Sequence, residues 1–119
     1  MIYGDGGQTR DFTFVDNAVH ATLLAMRAPT ARGEAINVAC GEQTSISGLW
    51  SLIRTATGTP LDPRHEPGRA SELRHSVADV SRAARQLGYR PIVRAEEGIR
   101  RLLAAEESLG ERDRASVSG

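Results

Sequence analysis

The sequence predicts an α/β fold of about four helices and a few short strands. Apolar residues recur at helical spacing in four segments, and short apolar runs lie between glycine and proline turns. Residues 35–40 form such a run with apolar side chains on both faces, which is typical of a strand buried inside a parallel sheet. No other predicted strand could flank it on both sides, so we expect this domain to complete a sheet supplied by another segment or another chain.

The first 28 residues predict a short strand unit followed by a helix. Residues 1–15 favour a β-hairpin or strand pair, because apolar and polar residues alternate after the glycine turn 4–7. Asp16 is the candidate N-cap of a helix that runs to about residue 28. Its apolar positions repeat every three or four residues and comprise Val19, Leu23 and Met26.

The middle of the chain predicts a second helix and a long polar loop. Thr44 or Ser45 caps the helix, and Gly58 follows its end. Residues 60–76 contain three prolines, six charged residues and almost nothing apolar, which predicts a loop with at most a short strand. Loops of that length inside a domain are more often functional than idle.

The last part of the sequence predicts two further helices and a tail. The third helix carries apolar residues up to Leu87 and ends at Gly88, and the fourth follows Pro91 with a stripe that includes Ile99. The apolar pattern decays after residue 103, so we expect residues 104–119 to be a polar, disordered tail.

Composition limits the partners and the compartment. The 119 residues carry 15 basic and 15 acidic side chains, and this zero net charge gives no general attraction to nucleic acids or membranes. One cysteine and three scattered histidines give no internal disulfide and no zinc-ligand spacing. The sequence shows no signal peptide and no apolar run near the roughly 20 residues of a membrane span, so we expect a cytoplasmic protein.

Two sequence elements of nicotinamide chemistry are missing from these 119 residues. All 15 basic residues are arginine, so there is no lysine for a phosphate loop, a Schiff base or a tyrosine–lysine couple. No glycine-rich turn joins a strand to a helix, so no dinucleotide cradle is encoded. The sequence therefore predicts no catalytic residue, no cofactor-binding residue and no metal ligand.

Arginines and carboxylates on exposed loops are the candidates for ligand binding. Arg10 follows the glycine turn, and Arg69 lies in the polar loop with Glu72 close behind. The planar guanidinium suits a diphosphate, because it donates parallel hydrogen bonds and stays charged. Glu72 could accept hydrogen bonds from sugar or ribose hydroxyls. Alternatively, each of these is a solvated surface residue, and the three histidines are surface or structural residues.

Four blocks at natural spacing carry a family resemblance. They comprise residues 4–16 (GDGGQTRDFTFVD), 37–41 with Ser45, 68–79 (GRASELRHSVAD) and 87–91 (LGYRP). In this order they resemble the C-terminal third of the NAD-dependent epimerase/dehydratase family, the extended short-chain dehydrogenases. Within that family, the sequence is most similar to UDP-glucose 4-epimerases and related UDP-sugar epimerases, decarboxylases and dehydratases.

The resemblance implies a fold and a set of roles. Residues 1–103 would form the substrate-binding subdomain, without the Rossmann half. Arg10 and Arg69 would contact the diphosphate of a UDP-sugar, and Glu72 stands where the family usually has an aspartate that holds the ribose. The family's NAD-binding turn and its catalytic Tyr-x-x-x-Lys lie upstream of the matched region.

Two hypotheses about function remain open. The chain is the nucleotide-sugar-binding part of an NAD-dependent epimerase or dehydratase, an isomerase-type enzyme, and is not competent alone; its partners are then a UDP-sugar and a Rossmann-half polypeptide. Alternatively, it is a non-enzymatic binding or interaction module that retains the fold. In either case we expect the isolated chain to be poorly stable or to self-associate, because its strand needs neighbours.

Overall fold

Helices dominate the computed structural model, which describes residues 1–29 and 33–117. The elements follow in the order β1 (Ile2–Tyr3), β2 (Thr9–Arg10), α1 (Val15–Arg27), β3 (Thr44–Ser45), α2 (Ile46–Thr57), β4 (His65–Glu66), α3 (Ser81–Leu87) and α4 (Ala95–Val117). Four helices with a few short strands confirm the predicted α/β class. Within the described ranges, no helix combines the length and the apolar character needed to cross a membrane.

Each of the four short strands pairs with a segment distant in sequence. β1 runs parallel to β4, and the amide of Ile2 donates to the carbonyl of Arg64 over 2.7 Å. β2 runs antiparallel to β3 on one side. On its other side, Thr9 exchanges backbone hydrogen bonds with the segment around His75. These pairings bring the polar loop next to the glycine turn.

The predicted hairpin within residues 1–15 is therefore wrong. β1 and β2 do not pair with each other, and Phe12 and Phe14 lie in irregular chain after β2. Gly4 and Gly6 have positive φ angles of 70° and 74°, a conformation that favours glycine. The turn that they form separates β1 from β2, so that each strand reaches a different partner.

The core is a small cluster between α1, α3 and the segment after α3. Ala21, Ala83, Leu87 and Tyr89 are buried there, and Ile36 and Val38 pack against them. The hydroxyl of Tyr89 donates to the carbonyl of Ala39 over 2.9 Å, so the one large aromatic side chain of this cluster also has its polar atom satisfied.

A buried asparagine ties α1 to the chain before α4. Asn17 is 0% exposed, and its side-chain oxygen accepts from the amides of Ile92 (2.8 Å) and Val93 (2.9 Å). Its amide nitrogen donates to the carbonyl of Val93 over 2.7 Å. One side chain therefore satisfies three backbone groups in an interior where unpaired polar atoms are costly.

Local signals located the ends of α2 and α3 better than the start of α1. Ser45 caps α2 by accepting from the amide of Gly48 (2.9 Å), and Gly58 ends this helix in the left-handed conformation, both as predicted. The prediction that Asp16 caps α1 is wrong, because the N-cap is Phe14. Asp16 lies in the first helical turn, where a negative charge is also favourable, and accepts from Arg101 over 3.1 Å.

Residues 35–40 do not form the predicted strand within the described chain. The segment has no ladder partner there, and Asn37 is exposed while Ala39 and Cys40 are buried. A strand needs a neighbour to satisfy its backbone, and none of the four strands pairs with this segment.

The apolar stripe of α1 also faces outward. Val19, Leu23 and Met26 are 52%, 49% and 79% exposed, although their spacing is that of a core-facing helix. The inner face of α1 instead uses the buried Ala21 and the partly buried Leu24. Val19, Leu23 and Met26 therefore form an open surface on α1 that the described residues do not cover.

α4 extends further than the sequence pattern indicated. Its last predicted apolar position is Leu103, whereas the helix runs to Val117 through much of the segment for which we predicted a disordered tail. Ion pairs one turn apart, Glu96 with Arg100 and Glu97 with Arg101, support the first turns of α4, and alanine, glutamate and arginine continue it. Residues 118 and 119 lie outside the described chain. The division into a subdomain 1–103 and a tail 104–119 stays a prediction.

The Asn17 contacts make a testable prediction. Asn17→Ala leaves the partly buried amide of Ile92 and the buried amide of Val93 without an acceptor and should lower the free energy of unfolding by about 2–5 kcal/mol. Urea unfolding followed by circular dichroism measures the change. Asn37→Ala removes the same group from an exposed position and should change stability by less than about 0.5 kcal/mol. Equal effects of the two substitutions would contradict the structural role of Asn17.

Candidate functional site

A paired carboxylate and guanidinium join the glycine turn to the polar loop. The side chain of Arg74 donates to both oxygens of Asp5, over 2.8 and 2.9 Å, and the amide of Gly7 donates to the same carboxylate over 2.9 Å. Two parallel N–H···O contacts fix orientation as well as distance. A Cβ atom at Gly7 would lie 2.7 Å from a guanidinium nitrogen, so the absence of a side chain there makes room for Arg74.

This pairing also changes the acidity of Asp5. The hydrogen bonds from Arg74, followed by that from the Gly7 amide, hold the pKa of the Asp5 carboxyl far below its usual range. The same contact raises the pKa of Arg74. Both side chains are more than half exposed, so the pair acts as a local clasp and not as a buried charge.

Arg10 and Glu72, two of the three predicted ligand-binding residues, contact each other directly. Arg10 belongs to β2, and one terminal nitrogen of its guanidinium donates to the carbonyl of Thr9 over 2.7 Å. The other terminal nitrogen donates to a carboxylate oxygen of Glu72 over 3.1 Å. The side chains are 28% and 31% exposed, respectively.

Arg69, the third predicted residue, lies in the same turn as Glu72. The amide of Glu72 donates to the carbonyl of Arg69 over 3.1 Å, which closes the turn between them. The guanidinium carbon of Arg69 lies 4.0 Å from the centre of the Tyr3 ring, within the range of a cation–π contact. The structure thus brings Arg10, Arg69 and Glu72 to one region beside the glycine turn.

A small cleft opens at this region. It has a volume of about 100 Å³ and is lined by both glycine-turn and loop residues, including Tyr3, Asp5, Arg69, Glu72 and Arg74. Pockets that enclose a small-molecule ligand usually have volumes of several hundred Å³, so this cleft is too small to enclose a nucleotide sugar. A nucleotide sugar would therefore lie partly outside the walls that the described residues provide. A larger groove of about 350 Å³, between α2 and α4, is lined by apolar residues and glycine, with Thr13 as its only polar side chain.

Several residues of the region act as structural supports. The Asp11 carboxylate accepts from the amides of Cys40 (2.9 Å) and Gly41 (2.8 Å), which fixes the end of the 35–40 segment beside β2. His65 hydrogen-bonds the carbonyl of Gly4 (2.8 Å), and His75 hydrogen-bonds the Thr9 hydroxyl (3.0 Å). These contacts agree with the structural role expected for the two histidines.

Sequence reasoning missed Tyr3 and Asp5 as members of the site. Tyr3 precedes the glycine turn and Asp5 lies within it, but their partners are 66 and 69 residues further along the chain. An aromatic residue directly before a glycine turn was the only local signal, and it is equally typical of an ordinary short strand.

The glycine turn 4–7 and the start of α2 differ from the strand–turn–helix arrangement of a dinucleotide-binding turn. The glycine turn 4–7 leads into β2 and not into a helix. At the start of α2, the amide of Ser47 donates to the carbonyl of Gly6 (2.9 Å) and that of Gly48 to the Ser45 hydroxyl, so these donors are already used. A pyrophosphate cradle needs free amides at a helix N-terminus, and this helix start does not provide them.

Comparison with known proteins identifies the family. The family model described as GDP-mannose 4,6 dehydratase matches residues 1–102. A UDP-glucose 4-epimerase from Mycolicibacterium smegmatis is 42% identical over 98 residues, which cover 82% of this chain and 31% of the relative. The chain belongs to the NAD-dependent epimerase/dehydratase family.

Solved structures of the epimerase/dehydratase family share the fold. The crystal structure of UDP-glucose 4-epimerase with UDP-glucose from Thermotoga maritima superposes with a TM-score of 0.77 at 36% identity, over 83% of this chain and 31% of that one. UDP-glucuronic acid 4-epimerase from Bacillus cereus, in complex with UDP-glucuronic acid and NAD, gives a TM-score of 0.75 at 33% identity, over 82% and 32%. The chain spans about a third of the length of these family members.

The Asp5–Arg74 contact predicts a specific titration behaviour. Because the pKa of folded Asp5 lies below its unfolded value of about 4, the contact stabilises the fold above that pH and is lost as the pH falls further. Carboxyl-carbon NMR should therefore show Asp5 titrating far below its usual range. Arg74→Gln should move the midpoint up towards about 4.

A matched arginine provides the control for this titration. Arg54 pairs with Asp62 and does not contact Asp5, so Arg54→Gln should leave the Asp5 midpoint where it is. An Asp5 carboxyl that titrates normally in the unsubstituted protein would show that the clasp does not form in solution.

Proposed function

We propose that this chain is the nucleotide-sugar-binding part of an NAD-dependent sugar epimerase or dehydratase, and that its ligand is a UDP-sugar. The observation that carries the proposal is the convergence of Arg10, Arg69 and Glu72 beside the glycine turn. Membership of the family supports the ligand class, since structures of related enzymes contain UDP-glucose and UDP-glucuronic acid.

In this proposal the two arginines bind the diphosphate. Each guanidinium stays charged and can donate two hydrogen bonds to phosphate oxygens. They approach from different segments, Arg10 from β2 and Arg69 from the polar loop, so that a diphosphate between them would be held from two sides. Glu72 would accept hydrogen bonds from the ribose hydroxyls.

The chain's contribution to catalysis would be orientation. Held at its diphosphate, the substrate presents its sugar ring in a fixed position, and such positioning lowers a reaction barrier by reducing the entropy still to be lost. The 119 residues contain no lysine, and their glycine turn 4–7 leads into β2 and not into a helix. NAD and the catalytic tyrosine–lysine couple would therefore belong to a Rossmann half, and this chain alone would not be competent.

The open surface on α1 supports a need for that missing half. An exposed row of Val19, Leu23 and Met26 lies on the helix that precedes the unpaired segment 35–38. Covering the row would remove apolar area from water, and an added parallel strand would satisfy the backbone of the segment. The partner would be a Rossmann-half polypeptide, whether a separate chain or another part of the same one, or a second copy of this chain.

The same surface favours a second candidate function, a non-enzymatic interaction module. Exposed apolar rows often mark protein-binding surfaces, and this use would not require the arginines. Binding of a protein partner without any affinity for nucleotide sugars would favour the module over the enzyme part.

Affinity for UDP-glucose tests the proposed function. In isothermal titration calorimetry on the 119-residue chain, and on a complex completed by a Rossmann half, Arg10→Ala and Arg69→Ala should each weaken binding by roughly tenfold to a hundredfold. Each substitution removes charge-assisted hydrogen bonds to phosphate.

Arg85 provides the matched control, because it is an exposed arginine on α3 and not a member of the site. Arg85→Ala should change the affinity by less than about twofold. Unchanged affinity in both site variants would rule out the roles given to Arg10 and Arg69.

A further inference from the structure

We propose that Glu72 makes this site selective for diphosphates that also carry a ribose, because it is an internal anion that Arg10 must release before phosphate can bind. The inference rests on the proposed function and adds a specificity determinant to it. Its starting point is the direct contact between the guanidinium of Arg10 and the carboxylate of Glu72, 3.1 Å apart.

The two arginines of the site differ in their partners. Arg10 already has an anionic partner, and its second terminal nitrogen donates to the Thr9 carbonyl. Arg69 lies over the ring of Tyr3, which attracts the guanidinium without cancelling its charge. Among the described residues, no carboxylate is within ion-pair distance of Arg69. One arginine is thus ready for phosphate, and the other is neutralised by Glu72.

A phosphate on Arg10 would meet Glu72 as a competitor. Both anions would occupy neighbouring positions on one guanidinium, and like charges at that separation repel each other strongly. Asp5, another carboxylate at the cleft, does not compete in this way, because Arg74 holds both of its oxygens. The competition for Arg10 therefore depends on one side chain.

Glu72 can leave Arg10 without dismantling the turn. Its backbone amide remains bonded to the carbonyl of Arg69, and the side chain is 31% exposed, so that its carboxylate can turn towards a ligand or water. Ribose hydroxyls would donate short, charge-assisted hydrogen bonds to the displaced carboxylate. Pyrophosphate offers no such donors and would leave Glu72 beside an anion.

The site would therefore distinguish ligands by whether they carry hydroxyl donors for Glu72 as well as phosphate for Arg10. A nucleoside diphosphate with both ribose hydroxyls replaces each lost contact, one at Arg10 and one at Glu72. A 2′-deoxyribose supplies one hydroxyl fewer, and inorganic pyrophosphate supplies none. We therefore expect the affinity order UDP, then 2′-deoxy-UDP, then pyrophosphate, and we expect Glu72 to account for much of the difference.

Calorimetry with these three ligands tests the inference on the full chain and on Glu72→Gln, which keeps the size of the side chain and removes its charge. In the variant, affinity for pyrophosphate should rise about tenfold, and the preference for UDP over pyrophosphate should fall by at least about tenfold. Glu72→Asp, whose shorter side chain keeps the charge but reaches Arg10 less well, should give intermediate values.

Glu66 supplies the control, since it is a partly exposed glutamate in β4 without an ion pair in the described structure. Glu66→Gln removes the same charge and should change pyrophosphate affinity by less than about twofold. Circular dichroism on each variant establishes that the fold is retained.

The outcomes separate the inference from the proposed function. The inference is overturned if pyrophosphate affinity in Glu72→Gln is unchanged or lower, because Glu72 would then not compete with phosphate for Arg10. It is also overturned if this variant still binds UDP but binds no pyrophosphate. If Glu72→Gln raises pyrophosphate affinity and UDP binds the unsubstituted chain more tightly than pyrophosphate, but UDP-glucose does not bind, the inference holds while the proposed function fails, because the site then takes a nucleoside diphosphate and not a nucleotide sugar.

Discussion

The contact between Asp5 and Arg74 is the constraint on which the candidate site depends. It joins the glycine turn at the start of the chain to a polar loop almost seventy residues later. Through that junction, Arg69 reaches the ring of Tyr3 and Glu72 reaches Arg10. The residues given ligand-binding roles lie on loops and strand ends, so their arrangement is fixed by this contact and by the pairing of β2 with the loop, and not by a continuous sheet.

A second constraint shapes the rest of the molecule. The interior is small and uses Ala21, Ala83 and Tyr89, together with the hydrogen bonds of Asn17, while the apolar row Val19, Leu23 and Met26 of α1 faces outward. An amphipathic helix that turns its apolar row to solvent, beside an extended segment without strand partners, is the surface expected of one part of a larger α/β protein. The chain's coverage of about a third of its relatives agrees with that description.

The sequence predicted the helices well where local chemistry determines them. Ser45, Gly58 and Gly88 define helix ends through a cap and two left-handed residues, and each acts within its own neighbourhood. The two-residue strands could not be predicted, because β1 and β2 depend on partners tens of residues away. Asp16 was misread for a related reason: a carboxylate is favourable both before a helix and in its first turn.

The candidate site was likewise predictable from the sequence only in part. Residue type and family resemblance led to Arg10, Arg69 and Glu72, and the fold places them in one region. The direct pairing of Arg10 with Glu72 was not predictable, since it requires the polar loop to fold back across β2. Tyr3 and Asp5 were missed because their partners are equally remote.

The most direct test of the proposed binding site is an amide NMR titration of the 119-residue chain with UDP-glucose. Binding at the proposed site predicts shifts concentrated in residues 3–10 and 68–75. Shifts confined to α3, where Arg82 and Arg85 line a separate polar groove, would contradict it.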